Sequence, residues 1–270
     1  MDRTFIKPPE AAKRAGIPRP KIYQDMRSGA LSVSADPQGK VQLDADEVAR
    51  MYGISPAVMT EGLTEERSTR INRRRDVLRF RIELLGIQPP IWREVLVPAR
   101  YTFWELHVVV QDAMGWLDYH LHEFHVSNEG APPAVFGIPD DGGFAMSEPV
   151  RPGWEYSVVD FVCAPETVMR YDYDFGDSWT HSVRLLSVEP REAGQKYPRC
   201  TAGERACPLE DCGGVDGYAE LVDALLDPSH DEHVRMMERI PPGWMPEAFA
   251  PMAVSFSNPK LRWKRAFGEG

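Results

Sequence analysis

From Val77 to Leu85 apolar and charged side chains alternate. Leu78, Phe80, Ile82 and Leu84 fall on one parity, and Arg79, Arg81 and Glu83 on the other. A period of two puts the apolar set on one face of an extended chain, so the run predicts a half-buried strand. Gln88-Pro89-Pro90 interrupts it, and Ile91 to Val97 predicts the next strand. The period then changes. Phe103, Leu106, Val110 and Met114 recur at helical spacing, which predicts a helix ending at Gly115. Val168–Phe175 and Trp179–Val188 read as a hairpin turning at Gly176-Asp177-Ser178. Tyr171, Tyr173 and Phe175 would share one face, and Trp179, His181, Val183 and Leu185 a face of the return strand. A Pro/Gly-rich stretch, 130–153, predicts a long loop with a short strand in it. Tyr218–Leu226 predicts a helix stopped by Asp227-Pro228, with a second short one in 229–240. Cys163, in an apolar segment, is expected in the core.

The first 53 residues have another pattern. Pro9–Ala15 has helix-forming composition and ends at Gly16; Ile17-Pro18 turns the chain, and Arg19–Arg27 forms a second helix with Pro20 in its first turn. Ala12, Ile22 and Met26 can pack together. Ala30–Val33 and Val41–Leu43 flank Asp36-Pro37-Gln38-Gly39-Lys40 as a short hairpin, after which Asp44 can cap a third helix carrying Val48 and Met51. EAAKRAGIPRPKIYQDMRSGAL, the hairpin and LDADEVARMYG together resemble the excisionase/MerR-type winged helix-turn-helix family over about residues 5–52. The resemblance implies double-stranded DNA as partner. It assigns Arg19, Lys21, Tyr23, Gln24 and Arg27 to a recognition helix in the major groove, and Lys40 to a phosphate contact at the wing tip. Pro18 and Pro20 depart from it, standing where Ser and Thr are commoner, which removes a polar cap and a phosphate-binding hydroxyl.

The fold class expected is therefore α+β: a small winged helix-turn-helix (1–53), a polar and basic linker (54–75), and a larger domain with a mainly antiparallel sheet (76–270). Charge follows this division. The chain of 270 residues has a net charge of −10, which argues against nucleic acid until it is resolved by segment. Residues 1–75 hold 14 Lys+Arg against 10 Asp+Glu, residues 76–258 carry a net −17, and residues 259–270 a net +3. The acidic body would keep away from DNA and is a candidate surface for a protein partner or self-association. No apolar run is long enough to span a bilayer or act as a signal peptide, so a cytoplasmic protein is expected.

Three polar clusters in the body bear on chemistry. In Gly115-Trp116-Leu117-Asp118-Tyr119-His120-Leu121-His122, the two histidines alternate as on a strand, so both could serve a metal or act as acid and base. Asp172, Asp174 and Asp177 surround the turn before Trp179 and could hold a cation, although Gly176 falls at the wrong place for an EF-hand; Asp174 and Asp177 could equally cap the turn. Cys200, Cys207 and Cys212 lie within thirteen residues, and completed by His181, His120 or His122 they form a candidate zinc set, with His181 taken as the fourth ligand, against the alternatives of buried free thiols or a redox pair. Read in order with LRFRIELLGIQPPIWREVLVPARYTFWELHVVVQDAMGWLDYHLHEF, YDYDFGDSWTHSV and YPRCTAGERACPLEDCGG, these clusters resemble the plasmid pRiA4b ORF-3-like family from about Val77 to Phe267. That resemblance implies an α+β fold in proteins of plasmids, transposable elements and bacterial chromosomes, and no activity. No Walker loop, GxSxG elbow or HExxH occurs. Three readings stand: a DNA-binding accessory or regulatory protein of a plasmid or mobile element, a metal-dependent enzyme built on the His/Asp/Cys clusters, and an acidic interaction module.

Overall fold

The computed structural model describes residues 5–35, 41–60, 71–127, 132–139 and 149–268. The chain divides into two compact units, Met1–Arg70 and Ile71–Gly270.

In the first unit β1 (Phe5–Ile6) leads into α1 (Pro8–Arg14) and α2 (Arg19–Arg27); β2 (Val33–Ala35) and β3 (Val41–Asp44) follow, then α3 (Ala45–Tyr52) and α4 (Pro56–Thr60). β3 is the centre of a three-stranded antiparallel sheet in the order β1-β3-β2. Ala11, Ala12, Ile22, Leu31, Leu43, Val48 and Met59 are buried in one core, with Met26 packed against it. The Asp44 side chain accepts from the amides of Asp46 and Glu47 and so starts α3, as its position before the apolar run predicts. Of the two apolar residues read on this helix, Val48 is buried and Met51 is 39% exposed, because the buried stripe runs through Ala45, Val48 and Ala49. The stretch read as a linker opens with α4, whose Met59 belongs to this core.

The second unit is built on an eight-stranded sheet among the described residues. Its members are β4 (Asp76–Leu84), β5 (Ile91–Pro98), β6 (His122–Val126), β7 (Ala134–Gly137), β8 (Val150–Pro152), β9 (Val168–Tyr173), β10 (Trp179–Pro190) and β11 (Arg199–Glu204). Their order is β11-β5-β4-β10-β9-β6-β7-β8, antiparallel throughout except β7–β8. The alternation seen in the sequence is the alternation of the sheet's faces. On the inner face Phe124, Tyr171, His181 and Leu84 form one cross-strand row. On the outer face Arg79 pairs with Glu189 and Glu94, and His125 and Arg170 both pair with Asp172. α5 (Phe103–Met114) covers the inner face with Phe103, Leu106, Val109, Val110 and Ala113. Fully burying a Val, Leu or Phe side chain is worth roughly 1.5–3 kcal/mol, so each of the larger residues at this interface contributes on that scale.

α6 (Gly214–Leu226), α7 (His233–Arg239) and α8 (Pro259–Phe267) complete the fold. Two readings are corrected. Phe175 lies past the end of β9 and is 51% exposed, because Asp174 turns the backbone to φ 55° and breaks the alternation after Tyr173. Cys163 is exposed, since it follows the short helical turn at 158–160 rather than lying in a strand.

Candidate functional site

In the first unit α2 turns Ile22 and Asp25 inward and leaves Arg19, Lys21, Tyr23, Gln24 and Arg27 exposed. A carboxylate is tolerated inside because it is fully partnered. Lys21 Nζ donates to Asp25 Oδ1 at 2.6 Å, and the Tyr52 hydroxyl donates to Oδ2 at 2.5 Å. The Lys21 bond, then the Tyr52 bond, holds Asp25 below the usual carboxylate range. Lys21, read as a groove-facing cation, is thus bonded within its own helix. Arg19, Tyr23, Gln24 and Arg27 keep the exposure expected of them, and Lys40 lies outside the described residues. The unit ends at Arg70 and holds 11 Lys+Arg against 10 Asp+Glu, a net +1. Arg73, Arg74 and Arg75 belong to the second unit, where Arg73 pairs with Asp160.

In the second unit three loops meet at one end of the sheet: the segment after α5, the β9–β10 turn, and residues 207–214. Gly214 permits the meeting, for a Cβ there would sit 2.6 Å from the Asp177 carbonyl oxygen. The Asp177 carboxylate accepts from the Gly213 amide at 3.0 Å. Asp174 accepts from the amides of Gly176 and Asp177, so it does cap its turn, while its other oxygen lies 3.5 Å from His120 Nε2. Asp211 Oδ1 is 3.0 Å from the same nitrogen. His120, Asp174 and Asp211 are the group of three metal-ligating side chains that the described residues bring within 4.8 Å of one another. One imidazole nitrogen and two carboxylate oxygens suit a divalent cation such as Zn²⁺ or Mn²⁺.

The remaining predicted residues go elsewhere. His120 and His122 do not share a side: β6 begins only at His122, after Asp118 has taken a positive φ. His122 is buried and stacks on His107, ring centroids 3.5 Å apart. Burial, then the neighbouring His107, holds it neutral, well below the ordinary histidine pKa. Trp116 and Trp179 are buried, the first donating to the Pro208 carbonyl at 3.1 Å. Cys200 and Cys207 are buried, Cys212 is half-buried, and His181 uses Nδ1 on the Tyr171 carbonyl. Burial raises all three thiols, Cys212 to about 11. These four residues do not come together as a ligand group.

A chain of buried polar groups between α5 and β9 has no counterpart among the sequence-predicted sites. His107 Nε2 is 2.8 Å from Asp118, and Nδ1 is 2.9 Å from the Tyr171 hydroxyl, which accepts from the Gln111 amide at 3.0 Å. With Nε2 protonated, His107 donates to the carboxylate and accepts from the tyrosine, so every bond has one donor. Arg262 of α8 reaches both Asp118 and Asp112. The only sequence signal was a histidine and a glutamine, four apart, inside the apolar stripe of α5.

The model of the plasmid pRiA4b ORF-3-like protein family matches residues 76–253, nearly all of the second unit. The chain belongs to that family. An uncharacterized protein, y4hQ of Sinorhizobium fredii (strain NBRC 101917 / NGR234), is 35% identical over 162 residues, covering 60% of this chain and 79% of that one. The crystal structure of MM3350, a protein of unknown function from Methanosarcina mazei Go1, superposes with a TM-score of 0.62 at 38% identity. It covers 67% of this chain and 99% of its own. The sheet and the convergent loops are therefore the family's part of the molecule. The first unit lies outside the match. No described helix is long and apolar enough to cross a membrane.

Proposed function

We propose that the chain is a DNA-binding accessory or regulatory protein of a plasmid or mobile element, reading duplex DNA through α2 of its first unit. The observation that carries this is the exposed face of α2. Arg19, Tyr23, Gln24 and Arg27 project from a short helix braced from behind by α1, α3 and the small sheet. Arg and Gln are the side chains that make bidentate contacts to guanine and adenine edges, and Tyr and Arg both reach phosphates. A net charge of only +1 means that attraction rests on this face rather than on the unit as a whole. A gel-shift titration of the full chain against random duplex at 50 mM salt tests it. Retardation that falls at least tenfold in affinity in Arg19→Ala/Arg27→Ala, with a shallower salt dependence, supports the reading. No retardation by the wild-type chain sinks it.

A second reading is favoured by the His120, Asp174 and Asp211 group: a divalent cation held there gives the body a metal-dependent role, enzymatic or structural. It replaces the cysteine-based zinc set as the metal candidate. Metal analysis of the purified chain and of His120→Ala decides it; equal metal content in the two removes this site from consideration.

A further inference from the structure

Arg93 lies on the buried parity of β5 and is 1% exposed, yet no carboxylate pairs with it among the described residues. Its Nε donates to the Ala113 carbonyl at 2.9 Å, and Nη1 donates to the carbonyls of Trp92 and Glu204, both at 2.8 Å. Nη2 has no acceptor among the described residues, and it is not sealed from solvent. The guanidinium lies 3.7 Å over the Phe249 ring. A guanidinium taken out of water without a counter-charge costs several kcal/mol, so the missing anion calls for an explanation.

The charge faces a cleft of about 960 Å³, walled by Met114, Trp116, Leu209, Trp244 and Phe249. That volume is within the usual range for small-molecule sites, which combine apolar walls with a few fixed polar groups. Among the described residues three carboxylates line the cleft, and two of them are paired with arginines. Asp112 takes Arg262 at 2.7 Å and Glu247 takes Arg205 at 2.9 Å, while Glu210 accepts through Oε1 from the Leu117 amide and the Tyr173 hydroxyl and keeps Oε2 buried without a partner among the described residues. Arg239, on the rim, gives one bond to a carbonyl, that of Asp211. The thiols of Cys200 and Cys207 are raised by burial and stay neutral at pH 7, so they give Arg93 no counter-charge. Two arginines, Arg93 and Arg239, thus stand against one carboxylate without a cation, Glu210, so the charge of this cleft not taken up by ion pairs is positive in a chain of net charge −10.

We propose that the cleft is a binding site for a small organic anion with an apolar, ring-sized body, whose carboxylate or similar group is met by Arg93 Nη2 and steered by Arg239. The proposal is independent of the DNA reading and of the His120 group.

Two probes with the same ring system test it: 1-anilinonaphthalene-8-sulfonate, which is anionic, and N-phenyl-1-naphthylamine, which is its neutral counterpart. Each is titrated by fluorescence into the full-length chain at pH 7. The expected result is one equivalent of the sulfonate bound at least tenfold more tightly than the amine. Arg93→Gln should bring the two probes to within twofold of each other. That variant loses backbone bonds and risks misfolding, so the second variant is Ala253→Trp, an exposed lining position whose indole fills the cleft without entering the core. It should abolish binding of both probes while thermal unfolding stays unchanged. Equal affinity of the wild-type chain for the two probes overturns the proposal, as does sulfonate binding that survives in folded Ala253→Trp. Absence of sulfonate binding to the wild-type chain overturns it as well.

Discussion

His181 stands in the inner row of the sheet between Tyr171 and Leu84, wholly buried, with Nε2 unpartnered and Nδ1–H on a carbonyl. Burial lowers its pKa from 6.5 to about 4. Between those two values the unfolded chain binds the proton and the folded chain does not. The stability this residue contributes is therefore complete above pH 6.5, is lost as pH falls toward 4, and changes no further below that. A shift of this size corresponds to about 3 kcal/mol. Urea unfolding from pH 7 to pH 4 should show His181→Gln, whose amide can keep the bond to Tyr171, losing about 3 kcal/mol less than the wild-type chain. Parallel pH profiles would show that His181 is not the titrating group. His122, lowered for the same reason, stays in both proteins and keeps part of the acid sensitivity in the variant.

At the level of elements, α5 and α8 hold the inner layer in place. α5 starts with a reciprocal cap: Thr102 Oγ1 accepts from the Glu105 amide at 3.3 Å, and Glu105 accepts from the Thr102 amide at 2.9 Å. Thr102→Ala should cost about 1 kcal/mol in urea unfolding. α8 is seated by Trp263 against Trp104 and Trp154, and by Arg262, which spans Asp112 and Asp118 with two nitrogens. Arg262→Ala leaves two largely buried carboxylates without their cation and should cost about 2 kcal/mol. Arg262→Lys should recover less than half of that, because a point charge cannot span both partners. Elements of this kind were differently legible in the sequence. β4, α5 and the turn at 176–178 could be read because each was written in local period or turn chemistry. Arg93 left one trace, a charged side chain on the same parity as Ile91 and Val95, and its burial depends on carbonyls from α5 and β11 that no local pattern reveals. His120 and His122 misled for a related reason: period two holds only inside a strand, and the strand starts between them. Asp211 joins His120 from a loop ninety-one residues away.

For the whole molecule, the two cores divide at Arg70, and the basic run Arg73, Arg74 and Arg75 falls on the far side of that boundary. Phe80, Val109, Tyr171 and their neighbours form a core to which no residue of the first unit belongs, and Ile22, Leu43 and Val48 form the other. The family match begins at residue 76, and MM3350 is covered over 99% of its length by two thirds of this chain, so a relative exists that is essentially the second unit alone. A fragment spanning residues 71–270 should therefore fold by itself, with one cooperative urea transition and the same acid sensitivity between pH 6.5 and 4 as the full chain. Its 20 Lys+Arg against 31 Asp+Glu give a net −11, and it keeps Arg73, Arg74 and Arg75. If α2 is the DNA-reading element, this fragment should fail to retard duplex at 50 mM salt, where phosphate attraction is strong, while the full chain retards it. Retardation by the fragment would instead assign the affinity to those three arginines or to the basic α8. A fragment that folds, loses DNA and still binds the anilinonaphthalene sulfonate would separate the two activities on one chain. Nucleic acid would then belong to the part outside the family, and the anion to the part that defines it.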